Sequence, residues 1–254
     1  MAVPERPQPL WQPGEPLTFP ARTGNNRVLI PETSKWIGGG NFGEVFSVRG
    51  MLQEGDANPA PARVAMKQFD CRENTERAVK YHDLLARLNF PVFSRYEAER
   101  EQPLILMPNG NTNRTLTVSQ NGSLALAALE QSRLQNVENG DQLVADIIQT
   151  VRKATLFGIF MPFDAYFYFV QRKGNNGIVH HSVDDTDNVR LQQEAMVGSA
   201  ELLKQNICAA DQSLTHLFLH TTDTGMDRLQ TQMRQALLTA LGDIEEEMNR
   251  ACEC

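Results

Sequence analysis

The stretch WIGGGNFGEVFSV, residues 36–48, places Gly38, Gly39, Gly40 and Gly43 within six positions and then turns apolar. A glycine run of this density does not fit a helix interior, where each glycine costs about 1 kcal/mol relative to alanine. On both sides the chain is strand-like, with RVLI and KWI before the glycines and EVFSV after them, rich in the β-branched and aromatic residues that favour a pleated surface. The pattern predicts a β-hairpin whose turn is the glycine run. Gly38, Gly40 and Gly43 also satisfy G-x-G-x-x-G, with Val45 two residues on, so the turn can serve as a phosphate-cradling loop as well as a reversal of the chain. In a dinucleotide fold such a loop opens a helix; here it opens a strand, and that use does not fit.

The rest of the chain bounds the possibilities further. It has 254 residues, 41% of them hydrophobic, enough to fill a substantial core. A formal net charge of −7 leaves no chain-wide positive field, so nucleic acid is not an expected partner. No apolar run reaches the ~18–20 residues of a spanning helix and the N-terminus lacks a signal-type apolar region, so the expectation is a cytoplasmic protein without a membrane span. Cys71, Cys208, Cys252 and Cys254 form no CxxC ligand set, which speaks against disulfides and structural zinc. Residues 1–27 hold six of the thirteen prolines and are expected to form a flexible tail or an extended strap. LQEGDANPAPA reads as a turn-rich insert before RVAMKQF, a short strand. ENTERAVKYHDLLARL, residues 73–88, has Ala78, Tyr81, Leu84, Leu85 and Leu88 at helical spacing and ends at Asn89-Phe90-Pro91. PLILM, residues 103–107, is a buried strand. GDQLVADIIQTVRKATL predicts a helix starting near Asp141, FYFV and GIVHHSV a hairpin about the Lys173 to Gly177 turn, and the segment from Met226 to Met248 a long amphipathic helix.

A glycine hairpin followed by a strand lysine is the pattern that carries the strongest functional reading. Val64-Ala65-Met66-Lys67 supplies a V-A-I-K-like lysine one strand after the glycines. With the strand order and the first helix, this part of the chain resembles the N-lobe of the protein-kinase superfamily. The resemblance implies an α+β, two-lobed protein-kinase-like fold: a β-rich N-lobe at 28–108 and a shortened helical C-lobe at 109–254. It implies ATP under a lid formed by Gly38, Gly39, Gly40, Asn41, Phe42 and Gly43, with Val45, Ala65 and Met107 about the base and Lys67 on the phosphates. Asp164, in Met161-Pro162-Phe163-Asp164, occupies the place of the catalytic base. After the hairpin, Asp184, Asp185 and Asp187 stand where a metal-binding aspartate is expected, for Mg²⁺ or Mn²⁺.

Departures accompany the match. Pro162 and Phe163 replace the histidine and arginine before the base, Tyr166 replaces a lysine, and Phe169 stands at the metal-binding asparagine. Tyr81 holds the ion-pair glutamate position, with Asp83 and Glu76 as substitutes on neighbouring turns. No A-P-E follows Asn188. The shortened C-lobe is similar to small kinase-like proteins that bacteria deliver into host cells, which makes a host protein an expected substrate. Three functions remain open at this point: transfer of a phosphoryl group to a protein hydroxyl, serine or threonine before tyrosine; a non-catalytic kinase-like binding module; and transfer of AMP. Of His180 and His181, one should face inward and pack; His216 and His220 lack the glutamate of a zinc-protease motif.

Overall fold

The glycine run closes a long hairpin. In the computed structural model, which describes residues 7–20, 25–40, 42–92, 97–99, 102–108, 116–118, 136–173, 176–183, 186, 188–218 and 224–252, strand β2 (Arg27–Gly40) pairs antiparallel with β3 (Gly43–Glu54), down to a last pair of Gly40 with Gly43. Gly38, Gly39 and Gly40 therefore belong to the strand and not to the turn. Strand β4 (Ala60–Phe69) follows, so the insert expected over 52–62 shrinks to residues 55–59. Leu52 is drawn into the strand because it packs on the core. Pro61 is tolerated in β4 because the next strand pairs only with Val64 to Gln68, leaving the proline's other side without a ladder.

Helix α1 (Arg72–Arg87) and the short β5 (Glu97–Ala98) lead to β6 (Leu104–Pro108), which docks beside β4. Outside β2 lies β1 (Leu17–Phe19), giving a six-stranded antiparallel sheet in the order β1-β2-β3-β4-β6-β5. Residues 7–20 are thus a strap on the sheet and not a free tail. Trp11 is buried edge-on against Phe46, with ring centroids 5.3 Å apart, and the Gln68 side chain ties the strap down, accepting from the Leu10 N–H at 2.8 Å. Five prolines obscure this segment in a composition argument, but three large apolar side chains, Trp11, Leu17 and Phe19, are enough to hold it on the core formed by Leu29, Phe46, Val48 and Met66.

The chain divides into two compact units, one of Met1–Asp83 with Ser94–Thr112 and one of Leu84–Phe93 with Asn113–Cys254. In the second, β7 (Leu116–Val118), β8 (Asn136–Val137), β10 (Tyr166–Lys173) and β11 (Asn176–Val183) form a sheet in the order β7-β10-β11-β8. Helix α2 (Gly140–Leu156) precedes β9 (Ile159–Phe160), and β9 pairs antiparallel with β12 (Arg190–Leu191). After the short α3 (Gln192–Ala195) come α4 (Ser199–Phe218) and α5 (Thr224–Cys252). Helix α5 packs against both α2 and α4. It buries Met233, Leu237, Leu241 and Ile244, members of the expected stripe, and Arg234 forks onto Asp211 of α4 at 2.7 and 2.9 Å. The fold is mixed α+β, with an antiparallel sheet and several helices, none of which, among the described residues, is long and apolar enough to cross a membrane.

Truncating the strap's anchor tests its contribution. Trp11→Ala is expected to lower unfolding free energy by about 3–5 kcal/mol in urea titration, the range for a large buried aromatic; an unchanged midpoint would mean that residues 7–20 contribute nothing to the sheet.

Candidate functional site

Strand pairing fixes which side chains of the first unit can act together. Directly paired residues point to the same face, and neighbours along a strand point to opposite faces. Val45 pairs with Lys67, and Lys67 with Ile105; Ser47 pairs with Ala65, and Ala65 with Met107; Gly38 pairs with Val45. Gly38, Val45, Ala65, Lys67 and Met107 therefore share one face. Phe46, Val48, Val64 and Met66 occupy the other, sealed beneath the strap. Phe42, predicted in the lid, packs with Phe69, Ile105 and Met107 in a separate small cluster that includes Ala78 and Val79 of α1. Asn41 lies outside the described residues.

The shared face is cationic. Lys35 pairs with Ser47 and Arg49 with Arg63, so Lys35, Arg49, Arg63 and Lys67 project on the same side. No carboxylate occupies a described, registered position of that face. Glu44, next to the turn, points the other way and accepts the Trp36 indole N–H at 2.5 Å. Lys67 is half-buried, its ammonium 5.1 Å from the Phe69 ring centroid.

Two glycines of the hairpin differ in kind. A Cβ on Gly43 would lie 2.0 Å from the Gln68 carbonyl oxygen, and its φ is +152°, so only glycine fits there. A Cβ on Gly38 would meet no described atom within 4 Å. Gly43 is demanded by the sheet, whereas the fold makes no such demand at Gly38.

The acidic substitutes expected for Tyr81 are partly accounted for. Tyr81 is buried, with the Arg77 and Lys80 cations 5.8 and 5.3 Å from its ring centroid. Glu76 is exposed and accepts from Arg72 at 3.1 Å.

In the second unit Asp164 lies in a 3₁₀ turn (Phe163–Ala165) that starts at Pro162, half-buried, directly before β10. Its Oδ2 accepts from the Asn188 amide at 2.9 Å. The two residues stand at opposite ends of the β10–β11 hairpin, which returns the chain to its starting point by pairing Tyr166 with Val183. Asp184, Asp185 and Asp187 lie outside the described residues; Thr186 between them is fully buried. Among the described residues no group of three His, Cys, Asp or Glu converges as a metal site.

Sequence reasoning missed Asn206 of α4, a buried amide on the helix's inward stripe. Its Oδ1 accepts from the Met161 N–H at 2.8 Å and its Nδ2 donates to the Ile159 carbonyl at 3.0 Å, fixing the backbone that leads into Asp164. The available signal was a lone asparagine at a core position of LLKQNICAA. His181 is the inward histidine of the pair, as expected, and His180 is exposed. The His181 ring stacks on Tyr166 at 5.4 Å between centroids, and burial pushes its pKa down to about 3. Burial also raises both the Tyr166 and the Tyr168 phenols, and Tyr168 shares a 2.5 Å hydrogen bond with Ser213. The side chains of His216 and His220 lie outside the description.

No protein-family model matches this chain, and no curated protein shows significant similarity to it.

Two outcomes follow from this geometry. Gly43→Ala should cost about 1–3 kcal/mol of stability or more, while Gly38→Ala should stay within about 1 kcal/mol of the parent; equal effects in chemical denaturation would contradict the assigned hairpin. For His181 the folded pKa lies below the ordinary value of 6.5, so the unfolded chain binds a proton first. Stability should hold above pH 6.5 and fall as the pH drops from there toward 3, with a limiting slope of about 1.4 kcal/mol per pH unit. His181→Phe should flatten that slope between about pH 6.5 and 5, above the ordinary carboxylate range; an unaltered slope would contradict a buried neutral imidazole.

Proposed function

We propose that the protein is an ATP-dependent phosphotransferase of protein-kinase-like, two-lobed architecture, acting on serine or threonine hydroxyls of a protein substrate. One observation carries the reading: the pairing of β3, β4 and β6 gathers the glycine hairpin, Val45, Ala65, Lys67 and Met107 on a single face whose only registered charges are positive. Such a face suits a nucleotide, with apolar surface at Val45, Ala65 and Met107 for a base and a cation for phosphate oxygens. Gly38 adds support, since the fold leaves it without a neighbour that would require glycine there, and close approach of a ligand to the backbone is a reason for having one.

In this reading Lys67 binds the phosphates and backbone N–H groups at the tip of the β2–β3 hairpin cover them. Asp164 accepts the proton of the attacking hydroxyl. Its bond from Asn188 holds one carboxylate oxygen in place. A divalent ion, Mg²⁺ or Mn²⁺, held by Asp184, Asp185 or Asp187, would supply charge neutralisation at the phosphates. Asn206 acts as a positioning residue, because it fixes the Ile159 to Met161 backbone two residues ahead of the 3₁₀ turn.

A second reading, a non-catalytic nucleotide-binding module, is favoured by the helix α1 residues. Tyr81 packs inward under two cations and Glu76 is engaged with Arg72, so neither provides the carboxylate that would orient Lys67. Incubation with ATP labelled at the γ- or the α-phosphate, in Mg²⁺ or Mn²⁺ with a cell lysate, separates the readings. The expected result is transfer of γ-label, lowered about a hundredfold or more in both Lys67→Ala and Asp164→Asn. ATP binding without transfer supports the binding module, α-label transfer indicates AMP as the group moved, and absence of both binding and transfer rejects the proposal.

A further inference from the structure

Away from Lys67, the shared face of the first unit ends in three cations. Arg49 stands directly opposite Arg63, and Lys35 stands opposite Ser47, one rung nearer the hairpin. All three are exposed. Directly opposed side chains have Cβ atoms about 4.5–5.5 Å apart, and like charges at that spacing destabilise a sheet. Among the described residues no carboxylate forms an ion pair with Lys35, Arg49 or Arg63. Glu54 is engaged with Arg27 on the other face at 2.9 Å, and Glu32 sits in the bulge between Pro31 and Thr33, opposite no residue of β3. Acids are not scarce in this chain, which has 31 Asp and Glu against 24 Lys and Arg, so a patch free of them is not a matter of composition. The Arg63 Nε–H donates to the Ser47 hydroxyl at 3.3 Å. That bond draws the side chain along the sheet toward the rung of Lys35 and leaves its terminal N–H groups for a ligand.

We propose that this patch docks an extended, acidic segment of a partner protein. Guanidinium forks match carboxylates bidentately, and arginine clusters are a recurrent receptor for acidic motifs. Neighbouring strands lie about 4.8 Å apart, so the three cations spread over about 10 Å across β2, β3 and β4. Side chains on one side of an extended peptide recur about every 6.6–7 Å, so carboxylates at alternate positions can engage the arginine pair and Lys35 together. A long polyanion such as RNA is matched less well. Three cations neutralise few of its phosphates, and a chain of net charge −7 repels the remainder. The docking site goes beyond the nucleotide reading and does not rest on it, since Arg63 and Lys67 are four residues apart along β4, roughly 13 Å, with Ala65 between them on the same face.

The test is fluorescence anisotropy of a fluorescein-labelled peptide alternating glutamate and glycine, titrated with the full chain, beside the same peptide carrying glutamine in place of glutamate. Saturable binding of the glutamate peptide alone is expected. It should weaken at least about tenfold in Arg49→Glu and in Lys35→Glu, and stay unchanged in Lys67→Ala and in Arg152→Glu, the latter an exposed arginine of α2. Arg49→Glu also sets an opposite charge against Arg63, so its urea midpoint should rise while its affinity falls, which separates loss of docking from loss of fold. Absence of saturable binding, equal binding of the glutamine peptide, equal weakening in Lys67→Ala or Arg152→Glu, a lowered midpoint in Arg49→Glu, or tighter binding of an oligouridylate than of the glutamate peptide would each overturn the proposal.

Discussion

The alignment of β3 with β4 and of β4 with β6 is the constraint on which the first unit depends. Val45, Lys67 and Ile105 stand directly opposite one another, and so do Phe46, Met66 and Leu106. A slip of one residue would exchange the two faces. Lys67 would then enter the layer beneath Trp11, at the desolvation cost of an unpaired ammonium, and Phe46 and Met66 would leave it. The apolar layer thus selects the register, and the register delivers the glycine hairpin, Ala65, Lys67 and Met107 to a common side. The opposite face is divided: Phe69, Ile105 and Met107 pack with Ala78 and Val79 of α1, and Lys67 stands beside them.

In the second unit the same task falls to buried polar groups. The backbone ahead of Asp164 is short, irregular and close to fully buried, since Ile159 and Met161 are inaccessible. Backbone in such a place must find hydrogen-bond partners beyond the single two-residue ladder of Ile159–Phe160 with β12. Asn206 supplies them, giving an acceptor to Met161 and a donor to Ile159 from one side chain, and Asn139 repeats the device at the Val179 N–H and carbonyl, at 2.8 and 2.7 Å. Each amide stands in for a missing strand. Loss of either leaves two backbone groups unsatisfied, which costs more than the bonds themselves contribute.

These devices also explain what could be read from the sequence. The glycine hairpin, helix α1, helix α2, the β10–β11 hairpin and the C-terminal helix are legible because each has an uninterrupted apolar period and a turn or cap at its ends. Helix α2 begins within a residue of the expected Asp141, and Asn89 closes α1 in the left-handed conformation that asparagine tolerates. Helix α4 was not legible: its inward stripe runs Leu202, Leu203, Asn206, Ala210, Ser213, Leu214, and two polar members break the period. The strap was legible only as one of two alternatives, a tail or a strap, because its prolines outweigh its three core side chains in any average over composition. The candidate site divides along the same line. Lys67 and its neighbours sit in regular strands, where alternation determines the facing, so their association could be inferred from residue parity. The company of Asp164 could not, because Asn188 stands beyond the end of β11, where no strand alternation determines the facing.

The hairpin between Asp164 and Asn188 bears on how far chemistry at Asp164 depends on its surroundings. Pairing of Tyr166 with Val183, of Ile159 with Leu191 and of Phe160 with Arg190 ties the segment before the aspartate and the segment after the acidic run to one another. The intervening turn cannot shift alone without breaking a ladder or the Asn206 clamp. A carboxylate held this way keeps its position through the protein's own bonds. Pro162, with φ of −70° and ψ of 161°, starts the 3₁₀ turn from an extended conformation proline readily adopts.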